Sequence, residues 1–315
     1  MGVHFLRADF RSGSGWPYLR KVQDPAPGKS NRFVVERVEP LPERAAREVQ
    51  LSLVSRITAP AYRPPVLAAV AVQLIELSKR QNVSTREIAN LIEQDPVLAA
   101  DMLRVSQSAL YALSSPIRSV DEALIRLGVR RSTELFVLAA LKSKLFRCRG
   151  YETVLERLRK HCVATAEISR IIGEMAYGNT DAYLVALLHD VGIAGCVLAL
   201  ASKGVHLPPP PFALAWPAIR GLHQRFALHL TASWQLPKEI RSALIAHYGF
   251  EQVDQPTSMS AVTVLSEALA KRVGYGFEDD FNENAMTRAV EQIGLSSQQL
   301  SQIEQSAREL TLRLE

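Results

Sequence analysis

From Pro64 onward, apolar residues return at intervals of three and four along the chain, the spacing of helices that each bury one stripe. Val66–Arg80 opens the series. Ser84-Thr-Arg-Glu87 has the form of a capping box and predicts a second helix through Ile88–Glu93. Asp95-Pro96 predicts a third start, with Pro at the first helical position, where its missing N–H costs nothing. After a Ser/Pro-rich loop over Leu113–Arg118, Ser119-Val-Asp-Glu122 forms a second box, and its helix should stop at Gly128. Arg131–Phe146 predicts a fifth, largely apolar helix, and Cys148–Gly150 a basic break. Beyond the break the same spacing predicts Tyr151–Ala176, Asp181–Ala201, Ala218–Ser233, Pro237–Tyr248, Ser258–Val273 and Ser296–Leu314, with the proline run Pro208–Pro211 as a linker. Neither a sustained two-residue alternation nor a repeat of fixed period is present. The expected fold class is all-α, a helical bundle.

The first 58 residues break this pattern. Ser12–Gly15 and Asp24–Ser30 are rich in Gly, Ser and Pro and read as loops. Arg32–Val38 alternates enough for a short strand, and Pro42–Ser55 for an amphipathic helix. This divides the chain into an accessory segment over 1–58, an N-terminal helical subdomain over 59–147 and a C-terminal helical subdomain over 148–315. The first twenty residues lack the apolar core of a secretory signal.

One stretch, AYLVALLHDVGIAGCVLALA at 182–201, has the length of a membrane span. An Asp at its centre would cost about 2.5–3.5 kcal/mol on insertion. A helix apolar on every side with a central polar pair fits the middle of a soluble bundle, so no membrane span is expected. With 47% hydrophobic residues the chain is ordinary for a globular protein. Residues 1–60 hold ten basic and six acidic residues, nearly the whole net charge of +5. The remainder is near neutral and lacks the broad basic field of a dedicated nucleic-acid binder. Three cysteines without a CxxC leave one unpaired, which suits a reducing cytoplasm better than a disulfide framework.

Six of the seven histidines fall between 161 and 247. His189-Asp190 stands out because an ionised carboxylate in an apolar helix is costly unless paired or metal-bound. Two readings are open: the pair satisfies itself and nearby helix ends as structural glue, or it joins His161 and a distant carboxylate in a mixed N/O site for a divalent metal. Neighbours on a helix point about 100° apart, so both could reach one ion only at a close helix junction. His229 lies six residues from His223, on another face, and should be a surface residue; His4 and His206 have no partners in sequence. Ser84–Ser108 has a helix-turn-helix outline. Its second helix begins apolar and then acidic at Asp101, which would repel phosphate, so packing is the better account. Arg130-Arg131 stands at a helix start where the dipole disfavours cations, a small cost that points to a carboxylate partner within the protein, an anionic ligand or, as the preferred reading, a solvated face.

His161, LLHDVG at 187–192, WQLP at 234–237 and ALIAHY at 243–248 resemble the HD-domain superfamily, which includes metal-dependent phosphohydrolases. Upstream, Pro64-Pro65 and the long segment IANLIEQDPVLAADMLRVSQSALYALSSPIRSVDEALIRLGVRRSTEL at 88–135 strongly resemble the HDOD family, the HD-related output domains of bacterial signalling proteins. The resemblance covers about residues 60–275 and implies an HD-like C-terminal subdomain. It places His161 as first ligand, His189 and Asp190 as the dyad, and a final Asp within VTVLSEALAKRVGYG, where this chain has Glu267. The extra methylene of Glu displaces that carboxylate. His223 and His247 stand where the cyclic-di-GMP hydrolysing relatives carry additional histidines, but no GYP tripeptide follows and His247 is succeeded by Tyr248, so that activity is not expected. Family members are regarded as HD relatives with eroded sites and no demonstrated hydrolase activity.

The function expected is therefore regulatory: a signal-transduction protein acting through a protein partner, with no catalytic residue assigned and at most a divalent metal at His161, His189, Asp190 and Glu267. The alternative is a metal-dependent phosphohydrolase acting on a nucleotide or other phosphoester, with Lys160 beside the first ligand as a point charge for phosphate.

Overall fold

The computed structural model describes residues 19–21, 35–37, 41–80, 82–112, 114–178, 181–201, 209–277 and 282–314. A short antiparallel ribbon, β1 (Leu19–Lys21) with β2 (Val35–Arg37), pairs Arg20 with Glu36 and puts a strand inside the stretch expected to hold one. Every other regular element is helical: α1 (Leu41–Thr58), α2 (Ala69–Ser78), α3 (Thr85–Glu93), α4 (Pro96–Ser106), α5 (Val120–Lys144), α6 (Glu152–Tyr177) and α7 (Ala182–Leu188), then α8 (Val191–Ala201), α9 (Phe212–Ser233), α10 (Lys238–Tyr248), α11 (Ser258–Ala270), a wide π-turn (Lys271–Tyr275), α12 (Glu283–Ile293) and α13 (Ser297–Thr311). The fold is all-α, as expected. The loops expected at 12–15 and 24–30, and His4 and His206, lie outside the described residues.

Local chemistry fixes the helix starts. Ser84 Oγ accepts from Glu87 N at 3.1 Å, Asp95 Oδ1 from Leu98 N at 3.0 Å and Ser119 Oγ from Glu122 N at 3.1 Å. In the last of these the Glu122 carboxylate reaches back to Arg118 N instead of the cap residue, a box shifted by one position. Gly128, at φ 81° and ψ 165°, interrupts α5 where the helix was expected to stop.

Three expectations are corrected. Asp181–Ala201 is not one helix: it breaks at His189-Asp190 into α7 and α8. Helix α9 starts at Phe212, with Pro217 inside it, six residues before the predicted start. Helix α12 was not anticipated, although Asn282 caps its start and Gly294 closes its end in the left-handed conformation.

A hydrophobic core runs from Leu53 on α1 through Phe277, and a second gathers α6, α11, α12 and α13. Helix α7 is buried on every side. The stretch 182–201, long and apolar enough to cross a membrane, is packed almost wholly inside the bundle. Helices α8 and α9 meet very closely: a Cβ on Gly192 would lie 1.9 Å from His223 O and 2.7 Å from Ala227 N. Arg56 on α1 donates to Ala199 O and Leu200 O, closing carbonyls at the end of α8. Of the Arg130-Arg131 pair, Arg130 is exposed, as expected, and Arg131 is not. Arg130 bonds Asp181 at 2.7 Å. Arg131 bonds both oxygens of buried Glu167 at 2.8 Å and Glu134 at 2.9 Å, with its guanidinium over the rings of Tyr111 and Tyr183. This cluster locks α5 against α6.

Three outcomes follow for denaturant unfolding. Gly192→Ala should cost about 1–3 kcal/mol or more through overpacking, whereas Gly221→Ala, on an open helical site, should stabilise by about 0.4–1 kcal/mol. Arg131→Met strips buried Glu134 of its bonded cation and leaves Glu167 only the longer contact to Arg170, and should cost about 3–5 kcal/mol.

Candidate metal centre

The break between α7 and α8 builds the site. Within a continuous helix His189 and Asp190 would diverge by about 100°; in the tight turn they face one point. Three bonds hold that turn. His189 Nδ1 lies 2.6 Å from Ala186 O, Ile193 N donates to Asp190 O at 3.0 Å, and the Tyr248 hydroxyl donates to His189 O. His161 reaches the same point from mid-α6, its Nδ1 2.7 Å from Tyr275 O in the π-turn.

The three inward atoms form a small triangle. His161 Nε2 and His189 Nε2 are 3.1 Å apart, and Asp190 Oδ2 lies 3.4 and 3.3 Å from them. All three side chains are essentially buried. A carbonyl oxygen only accepts, so each Nδ1 carries a hydrogen and each neutral ring turns its Nε2 lone pair inward. Asp190 Oδ2 has no hydrogen-bond partner among the described residues. Three electron-pair donors thus face one another in a dry interior, an arrangement that requires a cation. Without a metal a proton serves: burial opposes charging His189, but the Asp190 carboxylate overrides it and raises the imidazole to about 9. Burial likewise opposes ionising Asp190, and the two imidazoles hold it well below the usual carboxylate range.

The residues fit a divalent ion. Metal bonds of about 2.0 Å at tetrahedral angles put neighbouring ligand atoms about 3.3 Å apart, close to the edges of this triangle. Glu267 on α11 completes the set more loosely: His161, His189 and Glu267 bring ligand atoms within 4.8 Å of one another. The extra methylene is absorbed by its other partners. Glu267 Oε1 bonds Lys271 Nζ at 2.8 Å and Oε2 lies 3.5 Å from His247 Nε2. Burial pushes Glu267 up, but His189, His247 and Lys271 pull it down to about 2.

A cavity of about 250 Å³ opens beside the triangle, lined by Asp190, His223, His247, Tyr248, Glu267 and Lys271 among others. His247, at the end of α10, is lowered to about 4, chiefly by burial, and its Nδ1 has no partner among the described residues. His223 on α9 bonds Arg220 O at 2.9 Å and meets the Tyr248 ring edge-on; it lines the cavity without joining the ligand cluster. Lys160, expected beside the pocket, is a correction: it precedes His161 in sequence but points elsewhere round α6 and does not line the cavity. Its expected place is taken by Lys271, whose signal was legible as a Glu–Lys pair four apart on a helix. His229 is exposed, as expected, and stacks on Phe226.

The profile of the HDOD domain matches residues 65–250. The chain belongs to the HDOD family. Its fold recurs in several solved structures. An HDOD domain protein of unknown function from Geobacter sulfurreducens is 21% identical, with a TM-score of 0.64 over 85% of this chain and 98% of its own. A Shewanella amazonensis protein provisionally named a metal-dependent phosphohydrolase is 16% identical, with a TM-score of 0.62 over 86% and 100%. A Marinobacter aquaeolei protein provisionally named a signal transduction protein is 21% identical, with a TM-score of 0.60 over 86% of this chain and 64% of its own. No curated protein matches the chain.

The tautomers are measurable. Long-range 15N–1H spectra of selectively labelled protein should show His161 and His189 protonated at Nδ1, with both Nε2 signals shifting when zinc is added. A neutral His161 protonated at Nε2 would contradict the geometry.

Proposed function

We propose that this HDOD protein is a signalling module that holds a divalent metal at His161, His189 and Asp190, with Glu267 as a looser fourth ligand, and acts by docking a protein partner on its helical surface without turnover. The observation that carries the metal is the 3.1–3.4 Å triangle of inward-facing donors. The absence of turnover is supported by the open side of the site. Lys271, the sole lysine lining the cavity among the described residues, is committed to Glu267 instead of standing ready for a substrate phosphate. The free Cys148, Cys162 and Cys196 support a reducing, cytoplasmic setting.

A second reading, a metal-dependent phosphohydrolase acting on a nucleotide or other phosphoester, is favoured by one feature: the cavity touches Asp190 directly. A bound divalent ion would supply Lewis acidity and a water of lowered pKa. His247, kept neutral by burial, would then accept a proton at the cavity wall, and Lys271 would exchange Glu267 for a phosphate oxygen.

Elemental analysis of protein purified without chelators should find about one transition-metal ion per chain, absent from His189→Ala and Asp190→Ala. Stripping it should lower the melting temperature by about 5 °C or more. Hydrolysis of bis-p-nitrophenyl phosphate and of nucleoside triphosphates should stay at the level of His189→Ala. Turnover above that level would establish the second reading, and metal-free wild-type protein that takes up no added zinc or manganese would sink both.

A further inference from the structure

A second cavity, of about 380 Å³, lies between α4, α5, α6 and the segment that follows α13. We propose that it binds a small phosphate-bearing ligand of nucleotide size, independently of the metal centre. Its walls carry Arg104, Lys142, Arg147, Arg159 and Arg313 against a single carboxylate, Asp101. Asp101 is paired with Arg104, and Arg159 is paired with Glu156 at 2.8 Å. Lys142, Arg147 and Arg313 form no ion pair among the described residues, Lys142 feeling only the nearby Glu156 carboxylate, so the end of α5, the loop just after it and the C-terminal segment give the hollow a net positive rim. Charges of one sign gathered around a low-dielectric concavity focus the field there and select a polyanion.

The rest of the lining limits the ligand further. Leu138, Val163 and the nearly buried Tyr111 give the hollow an apolar floor. Small-ligand sites combine such a floor with a few convergent polar groups in about 300–1,000 Å³. Guanidinium forks suit phosphate oxygens, and the floor suits a base or similar flat group. Inorganic phosphate would leave the floor empty.

The two sites lie on different faces of one helix. Arg159 and Val163 flank His161 at two residues on either side, so they sit about 200° round α6 from it. A ligand in this cavity would tie α4, α5, α6 and the C-terminal segment together, and so serve as an input read on the opposite side of α6 from the metal.

Calorimetric titration of the full chain in EDTA, with ATP, pyrophosphate and adenosine as probes, tests the proposal. ATP and pyrophosphate should bind, more weakly as salt rises, and adenosine should bind at least about tenfold more weakly than ATP. Lys142→Glu/Arg147→Glu should weaken ATP about tenfold per lost charged contact. Should that variant fail to fold, Arg313→Ala alone should show the same direction. His189→Ala should bind ATP as the wild type does. No binding of ATP or pyrophosphate would overturn the proposal. So would loss of ATP binding in His189→Ala with retention in the charge-reversed variant, which would place the ligand at the metal centre.

Discussion

A carboxylate and two imidazoles, each imidazole already committed through Nδ1 to a backbone carbonyl, meet in the driest part of this bundle. That constraint organises what surrounds it. Donors at such separations cannot stay buried without positive charge between them, so the polypeptide must supply a proton or bind a metal. The backbone that holds them is equally constrained. Ala186 O is freed by ending α7 one turn early, and Tyr275 O is turned inward by the π-turn after α11. The irregular backbone sits where the chemistry needs it, and regular helices carry the rest.

The packing follows from the same centre. The turn after Asp190 launches α8 straight into α9, and only a glycine at 192 lets the two backbones approach so closely. Tyr248, one residue past His247, returns its hydroxyl to His189 O, so α10 positions the dyad without contributing a ligand to the triangle. On the far side of α6, Arg131 joins Glu134 and Glu167 in a buried cluster that fixes the rotation of the helix bearing His161.

Much of this was legible before any coordinates. His189-Asp190 is conspicuous because two polar residues interrupt a stretch of twenty that is otherwise apolar, and a buried charge needs a reason. The caps at Ser84, Asp95 and Ser119 were legible because capping is local, decided within four residues. What escaped was decided at a distance. The glycines of 182–201, Gly192 and Gly195, come after the dyad and sit inside α8, so the break at the dyad follows from tertiary demands: carbonyls, the Tyr248 hydroxyl and the convergence itself. Lys160 was favoured for adjacency in sequence, yet one step along a helix is a large rotation, whereas Lys271 reaches the site from one turn beyond Glu267. Arg131 reads as exposed because its partner Glu167 lies 36 residues away.

Glu267 is where the regulatory and hydrolytic readings part. Its carboxylate forms a short bond to Lys271, with neutral His247 beside it. That bond occupies the cation that a phosphate would need. On the regulatory reading proposed above, a centre built this way would keep three closely spaced donors for an ion while the carboxylate on its cavity side is already neutralised from within. An ion held beside a cavity whose lysine is already paired would suit a metal that stabilises a surface for a partner rather than a transition state.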